Sequence, residues 1–91
     1  MTGKVRDNAA LNRFELDADG HVAVAYYRRT PGVITFTHTE VPPALEGHGI
    51  GSALTRGALE AARAEGLKVV PRCPFVSAYI ARHPEFADLL A

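Results

Sequence analysis

Three glycines at alternate positions constrain the fold of this chain more than any other feature of its sequence. Gly47, Gly49 and Gly51 separate residues 33–41, which are rich in β-branched residues, from a segment beginning at Ile50 that has helical spacing of apolar and small residues. Because the first amides of a helix lack partners inside it and carry the positive end of its dipole, this pattern predicts an anion site suited to phosphate. The alternative is a tight turn that needs glycine only for its conformation.

The first part of the chain predicts three antiparallel strands. Residues 13–17, 21–28 and 33–41 are rich in strand-forming residues, and turn signals separate them at residues 17–20 and 30–32. Short turns between successive strands favour an antiparallel meander. Residues 1–12 are polar and are expected to form a loose or extended lead-in to a single domain that spans residues 1–91.

The second part predicts a helix, a strand and a final helix. Pro42 and Pro43 end the third strand, and the helix that begins at Ile50 ends near Gly66. Residues 67–71 form a short strand, which a right-handed crossover places parallel to the third strand. Residues 74–82 then form a helix that begins with a proline. The predicted fold class is α+β, an antiparallel meander followed by a β-α-β crossover and a C-terminal helix.

The composition excludes several classes of partner. Ten basic and ten acidic residues among 91 give no net charge, so we expect neither nucleic-acid nor membrane binding. No apolar run approaches the roughly 20 residues that span a bilayer. Cys73 is the only cysteine, which rules out an internal disulfide and favours a cytoplasmic location. We expect no metal ligand, and the sequence leaves the oligomeric state open.

Two familiar phosphate motifs do not fit the glycine loop. A Walker loop ends in Gly-Lys-Ser or Gly-Lys-Thr, and the chain contains neither. A dinucleotide fingerprint needs a further glycine three residues after Gly49, where Ser52 stands, and an acidic residue about 20 positions on. Both alternatives are therefore rejected.

The loop resembles that of the GNAT acetyltransferase superfamily, whose signature is Arg or Gln, two residues, Gly, one residue, and Gly or Ala. Residues 46–51 match it except at Glu46, and residues 77–86 resemble the late helix of that superfamily. Short single-domain proteins of the N-acetyltransferase-domain-containing type are the most similar, over residues 14–90. The early helices that shape the acceptor pocket in longer relatives are missing.

The resemblance implies acetyl-CoA as the cofactor and an N-acetyl transfer to a primary amine that the sequence does not identify. The residues expected to bind the cofactor lie in the loop and the last helix: Val41, Glu46, Gly47, His48, Gly49, Ile50, Gly51, Ser52, Pro74, Phe75, Tyr79 and Arg82. We expect the pantetheine arm beside residues 36–41. Arg82 is a candidate for the adenosine 3′-phosphate, although a solvated helix end explains it as well.

Four residues are candidates for the chemistry. By resemblance, Tyr79 faces the cofactor sulfur and acts as acid, and the alternative is a core aromatic. Period-two alternation places His38 and Glu40 on one face of the third strand with Ile34 and Phe36. By resemblance, Glu40 is a candidate base, and the alternative is that it is a solvated residue at the strand end. For His38, the alternative to a catalytic role is a hydrogen-bonded framework residue.

Cys73 is the fourth candidate. It directly precedes Pro74 at a predicted helix start, where unpaired amides and the helix dipole favour a thiolate. A covalent acetyl-cysteine route through this residue is therefore considered, and a small buried side chain is the alternative. At the level of the whole chain, a non-catalytic CoA-binding or protein-interaction module and a purely structural domain stay open.

Overall fold

A computed structural model describes residues 3–91. Its single sheet has the order β1-β2-β3-β4-β5, with strands β1 (Arg6–Asn8), β2 (Arg13–Ala18), β3 (His21–Thr30), β4 (Val33–Glu40) and β5 (Lys68–Pro71). The helices are α1 (Ile50–Ala64) and α2 (Pro74–Arg82), and 3₁₀ turns occupy Ala9–Leu11, Pro43–Leu45 and Pro84–Leu89. Within the described part of the chain, no helix is long and apolar enough to cross a membrane.

The predicted α+β class is confirmed. The first four strands pair antiparallel in sequence order, and β5 pairs parallel with β4 after the α1 crossover. Both helices contact the sheet, and the core lies between the helices and one sheet face. Its largest fully buried side chains come from three strands and two helices: Phe14, Leu16, Ile34, Phe36, Leu54, Leu59, Val69 and Val76.

The sequence predicted a loose or extended lead-in over residues 1–12, and its described part contains an extended strand. Residues Arg6–Asn8 form the edge strand β1, whose Arg6 lies opposite Glu15 of β2. The Glu15 carboxylate is almost fully buried and accepts hydrogen bonds from Arg6 at 2.7 Å and Asn8 at 3.0 Å. These polar contacts hold the edge strand to the sheet, and a hydropathy pattern does not reveal them.

A β-bulge in β4 determines which side chains face the helices. Tyr26 pairs with His38 and Tyr27 pairs with Phe36, so Thr37 is an extra residue. Partners across a strand pair share a sheet face, and alternation therefore reverses at this point. Thr39 joins Phe36 on the helix side, whereas His38 lies with Tyr26 on the open side.

The predicted face of His38 and Glu40 is therefore wrong. Without a bulge, both would share the buried face of Ile34 and Phe36. In the structure, Glu40 pairs with Val24 on the open face, and both predicted side chains are exposed.

Candidate functional site

A cleft of about 580 Å³ opens between the end of β4 and the start of α1. It contains nine of the predicted site residues and two that sequence reasoning missed. Its lining consists of Thr39, Glu40, Val41, Leu45, Glu46, Gly47, Gly49, Ile50, Gly51, Ser52 and Phe75. Leu45 precedes the glycines directly, and the bulge at Thr37 turns Thr39 towards this side.

Backbone amides at the start of α1 point to an anion-binding role for this cleft. The first helical hydrogen bond runs from the Ala53 amide to the Gly49 carbonyl at 3.0 Å, and no side chain of the described residues caps the helix. The amides of Leu45 and Glu46 bond to Pro42 and Pro43. Among residues 3–91, no acceptor bonds to the amides of residues 47–52, so these amides are available to an anion.

Two glycines give the loop its shape. Gly47 and Gly49 have φ values of +82° and +72°, a region that other residues adopt at a cost. A Cβ atom built on either glycine would meet nothing within 4 Å. The space above both residues is therefore open for a ligand to approach their backbone.

Gly51 has a different role, which is close packing. A Cβ atom at this position would lie 2.7 Å from Phe75 Cζ and 3.3 Å from Val41 Cγ2. The absence of a side chain therefore lets the first turn of α1 approach α2 and the end of β4. The Phe75 ring remains 38% exposed at the edge of the cleft.

The charge of the cleft wall is unusual for a phosphate site. Its charged lining residues are Glu40 and Glu46, and both are exposed. Two acids repel a diphosphate, so any attraction has to come from the amides and the helix dipole.

Four predicted cofactor residues do not line the cleft. His48 is exposed on the loop, Pro74 lies at the first turn of α2, and Tyr79 lies further along that helix. Arg82 is at its far end, about 12 Å along the helix axis from Pro74. Its proposed contact with the 3′-phosphate stays a prediction.

The parallel strands diverge beside the cleft. β5 pairs with β4 only from Val33 to Phe36, and the Cys73 amide donates to the Phe36 carbonyl at 3.0 Å. Beyond this point β4 continues to Glu40 while the chain turns into α2. Among the residues that the structure describes, no strand therefore lies beside residues 37–40 of β4 on the β5 side.

Cys73 does not line the cleft itself but contacts a residue that does. Its side chain is 4% exposed, and its Sγ lies 3.4 Å from Oγ1 of Thr39, which lines the cleft. The residue caps α2 through its backbone, whose carbonyl accepts the Ser77 amide at 3.0 Å.

Tyr79 is a core residue in this structure. The ring is 2% exposed and stacks on His83 with a centroid distance of 3.9 Å. Its side chain also interacts with Arg56 of α1, and this interaction raises the pKa of the guanidinium above its ordinary value. These contacts are the ones expected if Tyr79 is a core aromatic residue. The role of Tyr79 as an acid stays a prediction.

His38 and Glu40 form a loose pair on the open face. His38 Nε2 lies 3.6 Å from Glu40 Oε2, and the imidazole stacks on Tyr26 with a centroid distance of 6.3 Å. Both side chains are more than half exposed. Within residues 3–91, no group of three His, Cys, Asp or Glu side chains is arranged to hold a metal ion.

An antiparallel sheet with one parallel pair and a glycine loop beside the diverging strands is the architecture of the N-acetyltransferase class. The family model for the GCN5-related N-acetyltransferase matches residues 13–89. The NMR solution structure of a GCN5-like protein from Staphylococcus aureus is similar, with a TM-score of 0.73 and 25% identity over 97% of this chain and 87% of that chain. The chain belongs to the GCN5-related N-acetyltransferase family.

Proposed function

We propose that the protein is an acetyl-CoA-dependent N-acetyltransferase that acts on a primary amine. The observation that carries the proposal is the row of amides over residues 47–52, for which no hydrogen-bond acceptor is found within residues 3–91. All of these residues except His48 line the cleft. A diphosphate satisfies several such donors at once. Family membership and the divergence of the parallel strands support the same conclusion.

The described residues fit the parts of this cofactor. The open space above Gly47 and Gly49 admits a diphosphate to their backbone. The β4 edge over residues 37–40 offers peptide groups for the pantetheine amides, in the way that an edge strand accepts a peptide. When bound, acetyl-CoA supplies an activated acetyl thioester at the strand ends.

Two routes of transfer remain under the proposal. In the direct route, the amine attacks the acetyl carbonyl and its proton passes to Glu40 or His38. The C–S bond breaks, and the departing CoA thiolate takes up a proton, for which Tyr79 is the predicted acid. In the covalent route, the Cys73 thiolate first takes the acetyl group, CoA leaves and is protonated, and the amine then displaces Cys73. The position of Cys73, whose Sγ lies 3.4 Å from Oγ1 of the cleft residue Thr39, supports the covalent route, and the burial of Cys73 means that the wall has to open for this route.

A melting scan with CoA tests the binding step. A ligand that binds only the folded protein adds about 2.7 kcal/mol at a hundredfold excess over its Kd, which raises Tm by roughly 10 °C or more in a domain of this size. An unchanged Tm at millimolar CoA contradicts the proposal.

Intact mass after incubation with acetyl-CoA tests the covalent route. One acetyl group that is absent from Cys73→Ala supports the acetyl-cysteine. Turnover with an amine and no adduct supports direct attack. Binding of CoA without turnover of any amine would instead indicate a non-catalytic CoA-binding module.

A further inference from the structure

A second cleft, of about 340 Å³, lies on the open face of the sheet. Its walls combine apolar side chains with polar and charged ones: Val22, Val24, Val41, Pro42 and Pro43 are apolar, and Tyr26, Arg13 and Glu40 are polar or charged. The volume is near the lower end of the 300–1,000 Å³ that is typical for small-molecule sites.

This open-face pocket adjoins the cofactor cleft. Glu40 and Val41 line both cavities, at the strand end where β4 loses its β5 neighbour. A molecule in the open-face pocket therefore lies next to the place where the proposed function puts the acetyl thioester. The bulge at Thr37 produces this arrangement because it turns Glu40 to the open side.

The charges of the pocket select a cation. The Glu40 side chain is 59% exposed, and within residues 3–91 its side-chain partner is His38 at 3.6 Å. It is therefore available to an ammonium group in a pocket that also has apolar walls.

The other charged wall residue is already paired. Arg13 Nε donates to the buried Glu15 carboxylate at 2.5 Å, and its Nη1 donates to the Tyr26 hydroxyl at 3.1 Å. The charge of Arg13 is therefore already compensated by Glu15, so Arg13 attracts a substrate carboxylate less than an unpaired arginine would. A carboxylate in this pocket is also repelled by Glu40, which lines it.

We propose that the open-face pocket is the acceptor site and that it takes a primary amine on an apolar body that lacks a carboxylate. The inference rests on the proposed function. The walls formed by Val22, Val24 and the two prolines hold the apolar body, and Glu40 holds the ammonium group at the shared end. On transfer, the ammonium group first loses one proton to Glu40 or His38, which frees the nitrogen lone pair. The N–C bond then forms as the C–S bond breaks, and the second proton of the nitrogen passes to the departing CoA thiolate.

Turnover with three amines tests the substrate class. We expect 2-phenylethylamine to have a KM at least tenfold below that of phenylalanine, which has the same aromatic body and an added carboxylate. Methylamine, which lacks the apolar body, is expected to have a KM at least tenfold above that of 2-phenylethylamine. Equal KM values for 2-phenylethylamine and phenylalanine overturn the proposal.

Val22→Lys tests the location. Val22 is 40% exposed, so lysine is compatible with folding, and it adds bulk and positive charge to the pocket. Leu11→Lys is the matched control, because Leu11 is 52% exposed and lines neither cavity. We expect a rise of at least tenfold in KM for 2-phenylethylamine with Val22→Lys and less than twofold with Leu11→Lys. Similar KM values in both variants overturn the proposal.

A binding measurement separates the two proposals. In NMR titrations of the CoA-saturated protein with 2-phenylethylamine, the methyl signals of Val22 and Val24 should shift more than other methyl signals. If CoA raises Tm but these signals do not move at millimolar amine, the acceptor site is wrong and the cofactor proposal stands. If CoA does not raise Tm, the proposed function fails, and an amine titration of the CoA-free protein still reports on the pocket.

Discussion

Replacing Gly49 with alanine tests the glycine loop, and Gly66 provides a matched control. Gly49 and Gly66 have φ values of +72° and +71°, and a Cβ atom on either would meet nothing within 4 Å. Gly49 lines the cofactor cleft, whereas Gly66 follows the last turn of α1 and lies outside it. The two substitutions therefore differ in their position relative to the cleft and have the same backbone strain.

The loss of folding stability should be nearly equal in the two variants. A left-handed conformation costs a residue with a Cβ about 1–2 kcal/mol, and the lower entropy of the unfolded alanine chain offsets about 0.4–1 kcal/mol of this. The net loss is about 1 kcal/mol, which lowers Tm by roughly 4–8 °C in a domain of this size. Melting scans without ligand measure this quantity.

Binding of CoA should separate the variants. A methyl group on Gly49 occupies the open space through which a phosphate reaches the loop amides. Loss of one hydrogen bond to a charged group costs about 1.5–3 kcal/mol, which raises Kd about ten- to 150-fold. Isothermal titration with CoA should show this weakening for Gly49→Ala and a wild-type Kd for Gly66→Ala.

Two results would refute the reasoning. Wild-type CoA affinity in Gly49→Ala would show that the diphosphate does not approach this part of the loop. An equal loss of affinity in both variants would show that the effect comes from lower stability rather than from a blocked site.

Three further predictions concern single side chains. Glu46→Gln should tighten CoA binding about two- to fivefold at low salt, because one repelling charge is removed, and the gain should shrink in titrations at high salt. Tyr79→Phe tests the predicted acid role: loss of a general acid should lower kcat at least about a hundredfold, whereas a change in kcat of less than about threefold would support the core-aromatic interpretation. Glu15 has a pKa below its ordinary value of 4.5, chiefly because Arg13 donates to its carboxylate. Its stabilising effect is therefore present above about pH 4.5 and lost as the pH falls through the folded-state pKa, so acid should lower the Tm of wild type more steeply than that of Glu15→Gln.

Local signals account for the parts of the fold that the sequence predicted. Pro43 opens the turn after β4, and α1 begins at Ile50 as the spacing of apolar residues indicated. Gly66 has the positive φ typical of a residue just beyond a helix. Each of these features depends on a few residues that are neighbours in the sequence, so these features can be predicted without knowledge of the tertiary contacts.

Features that depend on contacts between residues distant in the chain could not be predicted from local sequence patterns. The edge strand β1 depends on contacts with Glu15, which is seven or more residues away. The bulge at Thr37 arises from the register between β3 and β4, and no residue type in β4 signals it. Period-two alternation therefore placed His38 and Glu40 on the wrong face and missed Thr39 in the cleft.

The bulge and the acidic cleft wall together favour binding of the acetyl donor on one side of the sheet and of the amine acceptor on the other. Glu40 and Glu46 repel a diphosphate, so under the proposed function the attraction has to come from uncharged donors, chiefly the backbone amides at the start of α1. The same Glu40, turned outward by the bulge, faces a pocket in which a negative charge attracts an ammonium group. A carboxylate that weakens binding of the donor on one side can therefore strengthen binding of the acceptor on the other. Under this reasoning, Glu40→Gln should lower the Kd for CoA and raise the KM for 2-phenylethylamine, two effects of opposite sign that a purely structural role for Glu40 would not produce.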